Sequence, residues 1–332
     1  MAKGKTTEIV RELNLDIIRK TLRETGVMTK AEISRKTGLS IPTCTSLLDI
    51  LQELGEVKVE DRAKTGGRPA KKFCYVGKNE SVLCMYILTE SKSHLICEVL
   101  DFLGNLQERQ EFVCDDITAA IICIHIERVL SQYSNIKAIS IGIPGYVVDG
   151  TIDYCDAQGL IGVNLEKIIK TRFNINPIIG AEKLYKAIGY RKRTSGLQSG
   201  TLGYVLAPKG QPWAIGILTE GGLKKVNGLI GELMYFPYAE LEWNCPDKES
   251  CINQMAKLIA MLTVIALDIC VIANDAFEEK DCEKLIAACK KIIPEKYIPE
   301  ILYSDDMLAD YRAGLLYDSL SRLQSGLELI EV

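Results

Sequence analysis

Thr29-Lys30-Ala31-Glu32-Ile33-Ser34-Arg35-Lys36-Thr37-Gly38-Leu39-Ser40-Ile41-Pro42-Thr43-Cys44-Thr45-Ser46-Leu47-Leu48-Asp49-Ile50-Leu51 is the stretch on which the reading of this chain turns. Thr29 and Glu32 form a capping box: hydroxyl and carboxylate satisfy the orphan amides at the start of a helix. Gly38 stops that helix. Ser40 caps a second one, and Pro42 fits its first turn, where a missing N–H costs nothing. Cys44, Leu47, Leu48 and Leu51 then fall at i, i+3, i+4 and i+7, one buried stripe. Thr43, Thr45 and Ser46 are left facing outward near the N-terminal end. A helix in the major groove presents those positions to base edges, and small hydroxyl side chains permit close approach. Upstream, Asn14 is expected to cap a short helix through Leu15, Ile17, Ile18 and Leu22, which Gly26 ends.

A wing follows. Val57 to Glu60 alternates as a strand, and Phe73 to Val76 can return antiparallel to it. Between them lies Lys64-Thr65-Gly66-Gly67-Arg68-Pro69-Ala70-Lys71-Lys72. A Gly-Gly-Arg-Pro loop can lay extended backbone against DNA and push Arg68 into a narrow minor groove. The residues expected to contact double-stranded DNA are Arg35, Ser40, Pro42, Thr43, Thr45, Ser46, Lys64, Arg68 and Lys71. The plainer alternative is a three-helix interaction module. Charge favours DNA: residues 1–78 carry a net +6 and the remainder −10, so attraction to phosphate is confined to the first module.

With 332 residues, 47% hydrophobic and 25% charged, the chain has room for two or three globular domains. Leu258 to Ala273 is its most apolar run, and that is too short to span a membrane and contains Asp268. Met1 to Arg11 is too polar for a signal peptide. Many of the twelve cysteines sit inside apolar patterns, as Cys84, Cys97, Cys123 and Cys270 do, which suits buried thiols in a reducing cytoplasm.

Past the wing the pattern becomes α/β. Val82 to Leu88, His94 to Leu100 and Leu106 to Val113 read as strands, Ile117 to Tyr133 as an amphipathic helix, and Ala138 to Ile143 as a strand entering Pro144-Gly145. Such a turn at a strand's carboxyl end is where α/β folds hold ligands. Leu202 to Ala207, Trp213 to Leu218 and a helix from Ile252 to Leu267 repeat the theme. Two related halves imply two lobes with a cleft between them.

These residues carry a family resemblance. Ile141-Gly142-Ile143-Pro144-Gly145-Tyr146-Val147-Val148-Asp149-Gly150 resembles the Gly-x-Pro-Gly segment of the ROK family of repressors and sugar kinases. Gly159-Leu160-Ile161-Gly162-Val163-Asn164-Leu165 resembles the loop that follows it. The Thr29-to-Pro69 module is similar to the winged helix of that family's sugar-responsive transcription factors, and Ala313-Gly314-Leu315-Leu316 to its C-terminal Gly-Ala-Ala-like helix. The resemblance implies a winged helix-turn-helix over 1–78, then a two-lobed actin-like, sugar-kinase-like (ribonuclease H-like) α/β domain, its lobes at 79–190 and 191–332. It further implies a cytoplasmic, sequence-specific transcriptional regulator, a repressor of carbohydrate-related genes that works as a homodimer or higher homo-oligomer.

The departures from the family are chemical. Its kinases hold ATP phosphates with Asp-x-Gly-Gly-Thr, where this chain has Leu88-Thr89-Glu90-Ser91. Their Asn-Asp pair aligns with Ala181-Glu182, and Val271-Ile272-Ala273-Asn274-Asp275 stands where a strand would enter a Gly-Gly turn. The zinc site needs a His and three Cys; here Gly231-Glu232 is followed by Leu233-Met234-Tyr235, and only Cys245 and Cys251 remain. The expectation is therefore no phosphoryl transfer, no cofactor and no metal. Gly145, Asn164, Glu182 and Glu232 lie in matching cleft segments and would take a sugar or sugar-phosphate effector, since a carboxylate can accept two hydroxyl donors. The competing readings are a sugar kinase with residual activity and a regulator whose C-terminal domain only docks a protein partner.

Overall fold

The computed structural model describes residues 2–60, 71–76, 80–89, 91–194, 196–197, 199–208, 213–219, 231–235, 245, 247–264, 267–273 and 277–325. Helix α1 runs unbroken over Ala2–Thr25. Asn14 therefore lies within a helix rather than capping one: the buried stripe of Leu15, Ile18 and Leu22 starts just after it, and the helix continues backward through exposed Leu13 and Val10. Gly26 ends α1 with φ of 82°, the left-handed conformation open to a residue without Cβ. Strand β1 (Met28–Thr29), α2 (Lys30–Thr37), α3 (Ile41–Glu53), β2 (Val57–Glu60) and β3 (Lys72–Tyr75) complete the first unit. β3 lies between β1 and β2, antiparallel to both. Arg19 on α1 grips Glu56 with two bonds of 2.7 and 2.9 Å, tying the first helix to the base of the wing.

The first lobe is built from β4 (Ser81–Thr89), β5 (Ser93–Asp101), β6 (Leu106–Cys114), α4 (Ala119–Gln132), β7 (Ile136–Ile143), the hairpin β8 (Gly145–Val148) and β9 (Thr151–Cys155), α5 (Leu165–Phe173) and β10 (Ile178–Ala181). Its five-stranded sheet has the order β10-β7-β4-β5-β6: β4, β5 and β6 form an antiparallel meander, while β7 and β10 join in parallel. Helix α6 (Glu182–Arg193) leads to the second lobe of β11 (Leu202–Leu206), β12 (Ala214–Leu218), α7 (Lys248–Val264), β13 (Ile269–Ala273), α8 (Asp281–Cys289) and β14 (Glu300–Tyr303). There the order is β12-β11-β13-β14, again an antiparallel pair followed by parallel strands. Both lobes thus start with antiparallel strands, three in the first and two in the second among the described residues, and add later strands in parallel through helical crossovers, the actin-like, ribonuclease H-like arrangement.

Helix α9 (Met307–Ser325) closes the chain by returning to the first sheet. Its Tyr311 is fully buried beside Tyr86, ring centroids 5.0 Å apart, and a Cβ on Gly142 of β7 would overlap that phenol. Arg312 donates two bonds, of 2.7 and 2.6 Å, to the fully buried Glu98 of β5. Helices α6 and α9 cross with backbones touching: a Cβ on Gly189 would strike the Asp310 carbonyl, and one on Gly314 the Tyr185 carbonyl.

Candidate DNA interface and interlobe ligand cleft

The recognition unit is set by its caps. The Thr29 amide donates to Glu32 Oε2 at 2.7 Å and the Glu32 amide to Thr29 Oγ1 at 3.3 Å, while Gly38 ends α2 in the left-handed conformation. The Thr29 amide, and after it the Thr29 hydroxyl donating to the same carboxylate at 2.8 Å, hold the Glu32 carboxyl below the usual carboxylate range. Ser40 caps α3, accepting from the Thr43 amide at 3.2 Å. Cys44, Leu47, Leu48 and Leu51 are the buried stripe, so the opposite face is fixed outward. Arg35, Ser40, Pro42, Ser46 and Lys71 are exposed, and Thr43 and Thr45 half-exposed.

The hydroxyls are more constrained than the sequence suggests. Thr45 Oγ1 donates to the Ile41 carbonyl at 3.0 Å and Ser46 Oγ to that of Pro42 at 3.3 Å, leaving their oxygens as acceptors toward a partner. Ile41 is a surface residue that periodicity misplaces. Its number puts it on the Cys44–Leu48 stripe, yet it is 53% exposed because the core ends one turn short of it. An apolar side chain there suits a thymine methyl. Lys64 and Arg68, with the rest of the wing tip, lie outside the described residues.

The second constellation forms where β7 and β10 end side by side, Gly142 opposite Gly180 and Ile143 opposite Ala181. Pro144 leads into the β8–β9 hairpin, and its carbonyl accepts from the Asp156 amide at 2.9 Å. A Cβ on Gly145 would overlap the Tyr154 carbonyl, so the absence of a side chain there lets the hairpin close. Glu182 opens α6 with no side-chain cap, and Glu232 is bridged to Ala214 at the end of β12. Two lysines not anticipated from the sequence meet these carboxylates: Lys183 pairs with Glu232 and Lys186 with Glu182. Both lysines are buried, and burial pulls the Lys183 ammonium below its ordinary value. Their only sequence signal is the i+4 spacing of Glu182 and Lys186.

Asp156 completes the group, accepting from the Tyr154 hydroxyl at 3.0 Å. Crowding by protein atoms raises its carboxyl, and the charges of Glu182 and Glu232 raise it further. Tyr154 stacks on Tyr146 with centroids 5.8 Å apart. Asn164 is placed elsewhere: its Oδ1 accepts from the Lys167 amide at 2.9 Å to cap α5, and its side chain lies beside Gly150 at the hairpin turn. Gly145, Glu182 and Glu232 thus gather near the base of the hairpin and Asn164 at its tip.

Packed groups run from this cluster to the winged helix. Lys186 lies over the Tyr311 ring, 5.5 Å from its centroid; on the same helix Leu316 abuts Gly104 in the β5–β6 turn. Phe102 of that turn and Tyr75 of β3 sandwich the Arg23 guanidinium, 5.4 and 5.3 Å from the ring centroids.

Cys245 and Cys251 are neighbours, and burial together with Cys251 pushes the Cys245 thiol up to about 12. Among the described residues no three metal-ligating side chains converge. His94 is bonded to Glu111 at 2.8 Å, and His125 stacks on Phe112 with centroids 3.6 Å apart. Glu90, Asn274 and Asp275 fall outside the described residues. No described helix is long and apolar enough to cross a membrane.

Comparison with known proteins follows the same division. Residues 10–58 match a winged helix-turn-helix DNA-binding family. No curated protein matches the chain. Among solved structures, a ROK family transcriptional regulator described as a homologue of the E. coli MLC protein superposes with a TM-score of 0.72 at 13% identity, over 96% of this chain and 100% of that one. A putative N-acetylmannosamine kinase from Listeria monocytogenes aligns at 0.56 and 12% identity, over 73% and 100% of the two chains. A ROK family protein from Streptococcus pneumoniae TIGR4 in complex with sucrose aligns at 0.56 and 12%, over 74% and 99%. At these identities the likeness is one of fold. The chain joins a winged helix-turn-helix DNA-binding domain to a two-lobed sugar-kinase-like domain, in the architecture of that ROK regulator.

Proposed function

We propose that this chain is a sequence-specific transcriptional regulator, a cytoplasmic repressor of carbohydrate-related genes that acts as a homo-oligomer. In this reading residues 1–78 bind DNA, and the lobes at 79–190 and 191–332 hold the ligand and the partner subunit. The observation that carries it is the exposed N-terminal end of α3, with Pro42 and Ser46 outward and Arg35 and Lys71 of the same unit also exposed, on a helix whose opposite face is locked into the core. Ser46→Glu sets a carboxylate against phosphate and base edges, and should abolish duplex binding in a fluorescence-anisotropy titration. Undiminished affinity in that variant would overturn the reading.

The kinase-like domain acts by binding and not by phosphoryl transfer. Ala181-Glu182 replaces the Asn-Asp pair, and the strand that should open a phosphate loop ends in Leu88-Thr89. Asp156, Glu182 and Glu232 offer acceptors to a polyol beside the stacked Tyr146 and Tyr154, and a sugar or sugar phosphate fits this chemistry. A ligand can shift DNA affinity only through its differential affinity for two arrangements of the lobes. The contacts from Lys186 through Tyr311, Leu316 and Phe102 to Arg23 are the physical route by which such a difference reaches the winged helix. Calorimetry across sugars and their phosphates tests this half of the reading; absence of binding by every compound removes it and leaves the DNA-binding half standing.

A further inference from the structure

The first sheet ends on β6, a nine-residue strand paired with β5 on one side and with no strand on the other among the described residues. A strand of this length with an open row of amides and carbonyls is a template for another strand. Its side chains alternate regularly, with Gln107, Arg109, Glu111 and Val113 outward on one face. Leu106 and Val113, near its two ends, are large apolar residues left about half exposed. Ile124, on the helix that covers Phe112 of β6 through His125, is exposed as well.

We propose that β6 pairs antiparallel with β6 of a second copy of this chain about a two-fold axis through Gln110, joining the two five-stranded sheets into one. The choice of partner rests on charge. An axis perpendicular to the sheet keeps opposed residues on the same face, so the strand can be centred only on a residue. Centring on Arg109 opposes that residue to its own copy, and centring on Glu111 does the same for a carboxylate. Within one chain Arg109 lies 3.4 Å from Glu111 and 3.6 Å from the buried Glu98; centring on Gln110 adds Glu111 of the second copy opposite Arg109, twice, with no like charges facing. It also sets Leu106 opposite Cys114 of the second copy.

The register has a geometric consequence for DNA. The two β5–β6 turns, each packed against Arg23 of its own winged helix, stand on opposite ends of the joint, about 26 Å apart at ~3.3 Å per residue. That separation is of the same order as the ~34–36 Å between half-sites one helical turn apart.

The test uses the full chain and sedimentation velocity. The parent should be dimeric at micromolar concentration. Glu111→Arg sets Arg against Arg and should weaken dimerisation by about tenfold or more, as should Arg109→Glu, each replacing two attractive cross-strand pairs by two repulsive ones. Mixing the two single variants restores complementarity and should give a heterodimer, and the double exchange R109E/E111R should restore a homodimer. A monomeric parent, or a dimer indifferent to both single substitutions, would overturn the proposal and leave the charges of β6 as a screen against pairing. If both singles lose the dimer and neither the mixture nor the double exchange regains it, the Gln110 register is overturned as well.

Discussion

Replacing Glu232 by Ala removes the partner of an ammonium that the fold keeps out of water. Lys183 is 5% exposed, its ion-pair partner is Glu232, and the Glu232 side chain is itself 12% exposed. Breaking a buried pair from one side costs about 3–5 kcal/mol, because the remaining charge keeps its desolvation and loses its compensation. Lysine's long stem can turn toward the cleft, which puts the expected loss near the lower end, about 3 kcal/mol. Glu232→Gln keeps a carbonyl acceptor and should cost about 1–2 kcal/mol. Removing both charges, as in Lys183→Met with Glu232→Leu, should recover most of the loss, with a coupling of at least about 1 kcal/mol. Urea denaturation with a full double-mutant cycle measures all of these. The pH dependence has a definite sign. Burial holds the native Lys183 below its ordinary value of 10.5, so between the two values the unfolded chain binds more protons and stability rises with pH. Loss of Glu232 lowers the native value further, so the penalty of the variant should shrink as pH climbs toward 10.5. A Glu232→Ala variant within about 0.5 kcal/mol of the parent, or a double variant no more stable than the single, would refute the reasoning.

Other consequences are as specific. Gly314→Ala drives a methyl into the Tyr185 carbonyl at the α6–α9 crossing and should cost about 1–3 kcal/mol despite alanine's better helix propensity; thermal unfolding reports it. Arg23→Ala empties the space between Tyr75 and Phe102, removing about 0.5–2 kcal/mol of cation–π attraction, and hydrogen exchange in α1 and the β5–β6 turn should accelerate. The capping box should fail in acid. Glu32 titrates below its ordinary 4.5 in the native chain, so its contribution is present above that value and lost as pH falls through the lowered one, visible as faster exchange of the first amides of α2.

The parts of this molecule legible in sequence are those decided locally. The caps at Thr29 and Ser40, the stop at Gly38 and the Cys44–Leu51 stripe depend on neighbours within two turns, and all four appear as expected. The meander of β4, β5 and β6 was readable because short turns separate three strand-length runs, the first two almost wholly apolar. Asn14 misled because a capping residue is also an ordinary helix residue, and α1 runs on past it through Leu13 and Val10, which are exposed and leave no buried stripe to read. The cleft was legible only in part. Glu182 and Glu232 were marked by the resemblance, but their lysine partners were not, since Lys183 and Glu232 are 49 residues apart and no pattern announces a long-range ion pair. The return of α9 to β4 and β7 is of the same kind. Gly142 and Tyr311 fit each other across more than half the chain, and neither residue alone declares it.

Central to the proposed function is the claim that α3 reads duplex DNA. Selection of bound duplexes from a random pool by the full chain, with Ser46→Glu as the matched control, addresses that claim directly. An inverted repeat with half-sites about one helical turn, or a multiple of it, apart should be enriched by the parent and not by the variant. No enrichment with the parent, or the same sequences recovered with Ser46→Glu, would contradict it.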